Sequence, residues 1–199
     1  MPSRLAVLAS GRGSNLQAII DHFDNLARER VAKVVLVASN RADSPALLRA
    51  ATASIDTASF NPNDDGSELL ALLQKFRIDL VVLAGYLKRI PPMVIGEYAG
   101  RIINIHPALL PAFGGEGMYG ARVHEAVIAS GATETGVTVH LVDDEYDRGP
   151  ILAQWRVRVD KSDTAESLAA RVLNVEHVVY PRVVEMVAIL QQLESKISV

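Results

Sequence analysis

The strongest constraint on this chain is a rhythm. Short, nearly continuous apolar runs recur at residues 5–9, 34–38, 80–84 and 102–105, and helical patterns occupy residues 16–24, 45–53, 68–76 and 91–98. A strand that is apolar on both faces must be covered on both faces. Such strands alternating with helices predict parallel pairing through right-handed crossovers. The expected class is therefore α/β, an open, doubly wound, mostly parallel sheet with helices on both faces. With 49% of 199 residues hydrophobic, there is ample material for a core.

The rhythm changes after Pro107. Residues 108–120 hold four glycines and one proline, which predicts a mobile loop, and a short helix at residues 122–130 follows. Two alternating runs, 135–142 and 151–159, read as neighbouring strands whose relative direction the pattern leaves open. The acidic stretch Asp143-Asp144-Glu145-Tyr146-Asp147-Arg148-Gly149 joins them. A helical pattern from residue 164 to about 193 closes the chain, with a kink expected at Pro181. No repeat or linker divides the sequence, so one domain over residues 1–199 is expected.

Composition removes several kinds of chemistry. There is no cysteine, which excludes disulfides, a thiolate nucleophile and thiolate-ligated metals. The five histidines form no His-x-x-x-His pair, so no metal site is expected. A net charge of −3 offers no footprint for nucleic acid or an anionic membrane. The first apolar run is too short to span a bilayer, and a cytoplasmic location is the expectation.

Two segments carry polar groups where a sheet would present them. In a strand, side chains alternate, so Asn104 and His106 of Asn104-Ile105-His106-Pro107 point one way and Ile103 and Ile105 the other. An amide donor beside a group that titrates near neutrality suits work on a carbonyl. The segment Ser10-Gly11-Arg12-Gly13-Ser14-Asn15 joins the first strand to the first helix, where Ser14 or Asn15 can cap free N–H groups that favour an anion. It lacks the third glycine of a dinucleotide fingerprint and the Lys of a P-loop. For His140 a buried, hydrogen-bonded role fits best. Glu176 reads as a solvated or locally paired helix residue, and spacing alone does not place Asp147 in a site.

Together, Ser10-Gly11-Arg12-Gly13-Ser14-Asn15-Leu16, Leu83-Ala84-Gly85-Tyr86, Asn104-Ile105-His106-Pro107-Ala108-Leu109-Leu110-Pro111 and Asp147-Arg148-Gly149-Pro150-Ile151 resemble the folate-dependent formyltransferases, and within them the phosphoribosylglycinamide formyltransferase family. The resemblance runs through nearly the whole chain in the right order. It implies a Rossmann-like formyltransferase fold. The implied activity is formyl transfer from 10-formyltetrahydrofolate, the co-substrate, to the amine of 5'-phosphoribosylglycinamide in purine synthesis. By matching, Asn104, His106 and Asp147 take catalytic positions. Gly11, Gly13, Ser14, Asn15 and Glu176 fall at substrate-binding positions. Leu87, Lys88, Arg89, Ile90, Asn104, His140, Val142 and Asp143 fall at folate-binding positions. The implied partners are small molecules, with a homodimer as the assembly that the resemblance allows.

Two relatives compete. Methionyl-tRNA formyltransferase carries an added C-terminal domain and formyltetrahydrofolate deformylase an added N-terminal one, and neither addition is expected for a chain whose first strand begins at Leu5 and which ends at Val199. A hydrolase using water, or a transferase acting on another amine, remains the alternative. The sequence departs from the family pattern by having no Lys or Arg between Arg49 and Lys75, and by carrying Glu116 in the glycine-rich loop.

Overall fold

A computed structural model describes residues 1–26 and 30–197. The described elements run β1 (Ser3–Leu8), α1 (Ser14–Asn25), β2 (Ala32–Ser39), α2 (Pro45–Thr52), β3 (Asp56–Ser59), α3 (Ser67–Lys75), β4 (Leu80–Leu83), α4 (Pro92–Glu97), β5 (Ile102–His106), α5 (Ala121–Ala129), β6 (Glu134–Leu141), β7 (Ile151–Arg158) and α6 (Ala165–Ile197). The strands form one sheet in the order β3-β2-β1-β4-β5-β6-β7. From β3 to β5 every pair is parallel, whereas β6 lies antiparallel to both β5 and β7. This settles the direction that the pattern left open.

The expected alternation of buried strands and helices is present, with one strand added. β3 carries Asp56, Thr57, Ala58 and Ser59, mostly exposed, and has no apolar run to announce it. It is an edge strand, held by pairing to β2 rather than by burial. The core has two layers. On one face Leu16, Ile19 and Phe23 of α1 and Val172 and Val184 of α6 pack against Leu5, Val7, Ile103 and Val139. On the other, Leu69 and Leu73 of α3 and Val94 and Ile95 of α4 cover Leu8, Leu36, Val81 and Leu83. Each fully buried Leu or Ile contributes about 1.5–3 kcal/mol.

The last helix runs continuously through Pro181, whose ring costs it a hydrogen bond and is itself buried. One residue earlier, Tyr180 is fully buried and its hydroxyl lies 2.8 Å from the Leu83 carbonyl and 3.2 Å from that of Ile103. Helix α6 is thereby fixed across the carboxyl ends of β4 and β5. After β1 the chain winds outward to β3, then returns to β4 on the other side of β1. The loops leaving β1 and β4 therefore diverge, and a crevice opens at the carboxyl edge between them. No helix among the described residues is long and apolar enough to cross a membrane.

Candidate active site

A cleft of about 1020 Å³ occupies that crevice. Its walls include Arg12 and Asn15 after β1, Gly85–Ile90 after β4, Asn104 and His106 of β5, Gly115–Ala121, His124, His140, Val142–Asp147, and Glu166, Ala169, Leu173 and Glu176 of α6. Every residue placed by resemblance at a catalytic or folate-binding position lines it, as do Asn15 and Glu176. Gly11, Gly13 and Ser14 do not. They form the turn behind the wall, and Ser14 faces a separate shallow groove with Arg49 and Arg182.

The turn after β1 is held from outside. The Gly11 carbonyl accepts from Ala46 N–H and the Ser44 hydroxyl, and the Arg12 carbonyl accepts from Arg49 Nε at 2.8 Å. Gly13 has φ +73°, and a Cβ there would lie 3.0 Å from Ala46, so only glycine fits without displacement. Neither Ser14 nor Asn15 caps α1, contrary to expectation. Asn15 instead donates from Nδ2 to Glu176 Oε2 at 2.5 Å. Glu176 is correspondingly neither solvated nor locally paired: it is buried, and its partner lies 161 positions earlier in the chain. Burial raises its pKa above the ordinary value, and the Asn15 hydrogen bond only partly opposes this.

On the opposite side, Asn104 and His106 project from the same face of β5, as the alternation requires. Their cross-strand neighbours on β6 are His140 and Thr138, which share that face. Asn104 Nδ2 lies 3.2 Å from His140 Nε2, and His140 Nδ1 lies 2.8 Å from the Leu141 carbonyl. A ring that donates from Nδ1 can accept the amide N–H at Nε2, leaving the second N–H of Asn104 for the cleft. The expectation of a buried, hydrogen-bonded His140 holds. Thr138 accepts from Leu110 N–H and donates to the Ala108 carbonyl, stapling the chain after Pro107 to β6.

The third polar group arrives by a loop. Asp147, at φ +55°, reaches back between the two histidines. Its Oδ2 lies 3.5 Å from His106 Nδ1 and accepts the Gly115 N–H at 2.9 Å, and its Oδ1 lies 3.5 Å from His140 Nε2. A Cβ on Gly114 would come within 2.4 Å of Leu110 and 3.2 Å of Asp147, so the glycine-rich loop can approach only because that side chain is missing. The first half of the loop is therefore anchored, where the sequence predicts mobility. Burial works to raise the Asp147 pKa, but the adjoining His140 and His106 rings and the Gly115 N–H outweigh it, and the net shift is downward.

His106 is only 3% exposed. Its Nε2 faces the Phe113 carbonyl at 2.8 Å, so that nitrogen carries a proton and Nδ1 is the one turned toward Asp147. Burial lowers its pKa, and Asp147 and Phe113 recover only part of the loss. The ring is accordingly neutral near pH 7 in the free protein rather than held as the imidazolium that Asp147 alone would favour. Residues that sequence reasoning did not single out, among them Arg12 and His124, also line the cleft. Arg12 sat inside a motif, whereas His124 stood in an ordinary helical pattern that gave no signal.

The comparisons agree with this architecture. The formyl transferase family matches residues 3–184, and the chain belongs to that family. Within it the chain is similar to phosphoribosylglycinamide formyltransferases. The chloroplastic one of Arabidopsis thaliana is 46% identical over 188 residues, 91% of this chain and 64% of that protein, so the chain spans less than two thirds of the plant relative's length. The one of Escherichia coli (strain K12) is 37% identical over 190 residues, 92% of this chain and 86% of the other. The solved structure of glycinamide ribonucleotide transformylase 1 from Geobacillus kaustophilus superposes with a TM-score of 0.86 at 38% identity, covering 94% of this chain and 100% of that one.

Proposed function

We propose that the protein transfers the formyl group of 10-formyltetrahydrofolate to the amine of 5'-phosphoribosylglycinamide, as the names of its relatives indicate, and that it does so in the cytoplasm. The observation that carries this reading is the arrangement of an amide donor, Asn104, and an imidazole, His106, side by side on β5 with Asp147 3.5 Å from the ring. The substrate amine attacks the formyl carbon, and the carbonyl oxygen becomes an oxyanion. The free N–H of Asn104 donates to that oxyanion. As the intermediate collapses, the C–N bond to folate breaks and the departing nitrogen takes a proton, which His106 is placed to supply. The proton lost by the attacking amine passes through Asp147 to Nδ1 of the neutral His106 ring, which thus has a proton to give and ends neutral again.

Asp147 makes this possible by position. It is held as a carboxylate, so it favours a proton on His106 when negative charge builds nearby. Asn15 and Glu176 receive the acceptor substrate at the other end, with Arg12 of the turn after β1. Leu87, Lys88, Arg89 and Ile90, together with Val142 and Asp143, receive folate; Arg89 is braced by a hydrogen bond to the Asp144 carbonyl. Lys88 and Arg89 supply cationic charge on that side, where residues 50–74 supply none. Holding both reactants in register gives much of the acceleration.

Assaying formyl transfer with and without 5'-phosphoribosylglycinamide tests the reading. Formylated product should appear only with the acceptor. Formate release at the same rate without it would establish a hydrolase instead.

A further inference from the structure

His124 is the one histidine of the cleft with no hydrogen bond or ion pair among the described residues. It is 5% exposed, on the first turn of α5, and its Nδ1 is sealed from solvent without a partner. Its other nitrogen, Nε2, is not sealed. A buried N–H with no acceptor forfeits the hydration of a strong donor, so the sealed nitrogen carries the lone pair and Nε2 carries the hydrogen. Burial, reinforced by His106, lowers the pKa of the ring, which keeps it neutral. The result is a fixed donor with nothing to donate to.

Its position indicates the recipient. Helix α5 packs on α6, which brings Leu173 and Glu176 to the same cleft, and Glu176 is bound there to Asn15. Residues 87–90 and 142–143, proposed to receive folate, lie on the loops that follow β4 and β6 rather than on α5 or α6. We infer that His124 binds the acceptor substrate, its Nε2–H donating to an oxygen of the phosphoribosyl portion. This rests on the proposed function for the identity of the ligand. Hydroxyl, ring and phosphate oxygens make that portion rich in acceptors. Because the ring is already immobilised by packing, little side-chain entropy is lost on binding.

The test uses the full chain and two readouts. Titration calorimetry gives the Kd for 5'-phosphoribosylglycinamide alone, independently of turnover, and steady-state assays give KM for each substrate. His124→Phe keeps the ring and loses the donor, and should raise the acceptor Kd and KM by roughly 3- to 10-fold while leaving folate KM and kcat within about twofold. His124→Gln, whose amide reaches the Nε2 position, should restore acceptor binding. His124→Asn, whose amide reaches only the sealed Nδ1 position, should not. Equal acceptor affinity in the Gln and Asn variants would overturn the inference, and so would parallel weakening of both substrates. The Gln–Asn pair decides the matter even if the Phe variant fails to fold. A wild-type protein that binds the acceptor but does not formylate it would refute the proposed function and leave the inference standing. One that does not bind the acceptor would refute both.

Discussion

Two carboxylates line the cleft, both nearly inaccessible to water, and their environments push them in opposite directions. The Asp147 side chain is 11% exposed and Glu176 is 7% exposed. Burial alone would raise both pKa values. Asp147 ends lowered because two histidines and the Gly115 N–H converge on it. Glu176 ends raised because its partner, the Asn15 amide, is neutral. Neighbouring charge, rather than depth, decides which acid stays ionised. A pair of acids separated in this way gives one cleft a standing anion beside the reacting atoms and a second acid whose protonated form burial favours.

The sharpest way to break the comparison is to remove what the Asp147 side serves. Asn104→Ala deletes the donor aimed at the developing oxyanion, and kcat should fall by roughly 100- to 1000-fold with little change in KM for either substrate. Folding should be little affected, since Asn104 is only partly buried and its His140 contact is replaceable by water. Near-normal turnover would remove Asn104 from the mechanism. Asp147→Asn comes next. It keeps an oxygen for the Gly115 N–H but deletes the anion, and kcat should fall by about a hundredfold. His106, already lowered by burial, then loses the main group that opposes burial, so the limb of the pH–rate profile belonging to it should move to lower pH. An unshifted limb would show that Asp147 acts without His106.

The two sides also differed in how far they could be read in advance. Asn104 and His106 were legible because strand alternation is a local rule and both lie within five residues of β5. Asp147 was not, because it reaches the site from a loop in a left-handed backbone conformation that no periodicity encodes; only the family resemblance pointed to it. Glu176 was misread from the residues alone for a related reason. Its helix pattern is ordinary, and the partner that buries it lies 161 positions earlier in the chain. Asn15 does not cap α1 because the N-cap position falls on Gly13, which leaves Asn15 inside the helix, where its Nδ2 is spent on Glu176. In the sheet, the runs buried on both faces announced β1, β2, β4 and β5, while β3 was silent because edge pairing needs no apolar side chains.

The smallest expected effect lies on the Glu176 side and concerns stability. The folded pKa of Glu176 is raised, so burial favours its protonated form. Its contribution to stability is then fully present below the ordinary carboxylate range and is lost as pH rises through the elevated value. Asp147 has the opposite sign: its folded pKa is lowered, so its contribution is present above the ordinary range and disappears as pH falls through the lowered value. Glu176→Gln keeps an oxygen for the Asn15 amide and removes the charge. At neutral pH its Tm should exceed that of the wild type by about 2–4 °C, as about 1 kcal/mol gives in a chain of this size. The difference should close as pH falls below the ordinary glutamate range, where the wild type is protonated too. The same variant should weaken acceptor binding, because an uncharged amide replaces a group that can accept from substrate hydroxyls in either protonation state. A Tm advantage that persists unchanged at acid pH would mean that the gain comes from packing, and that the raised pKa of Glu176 has no part in it.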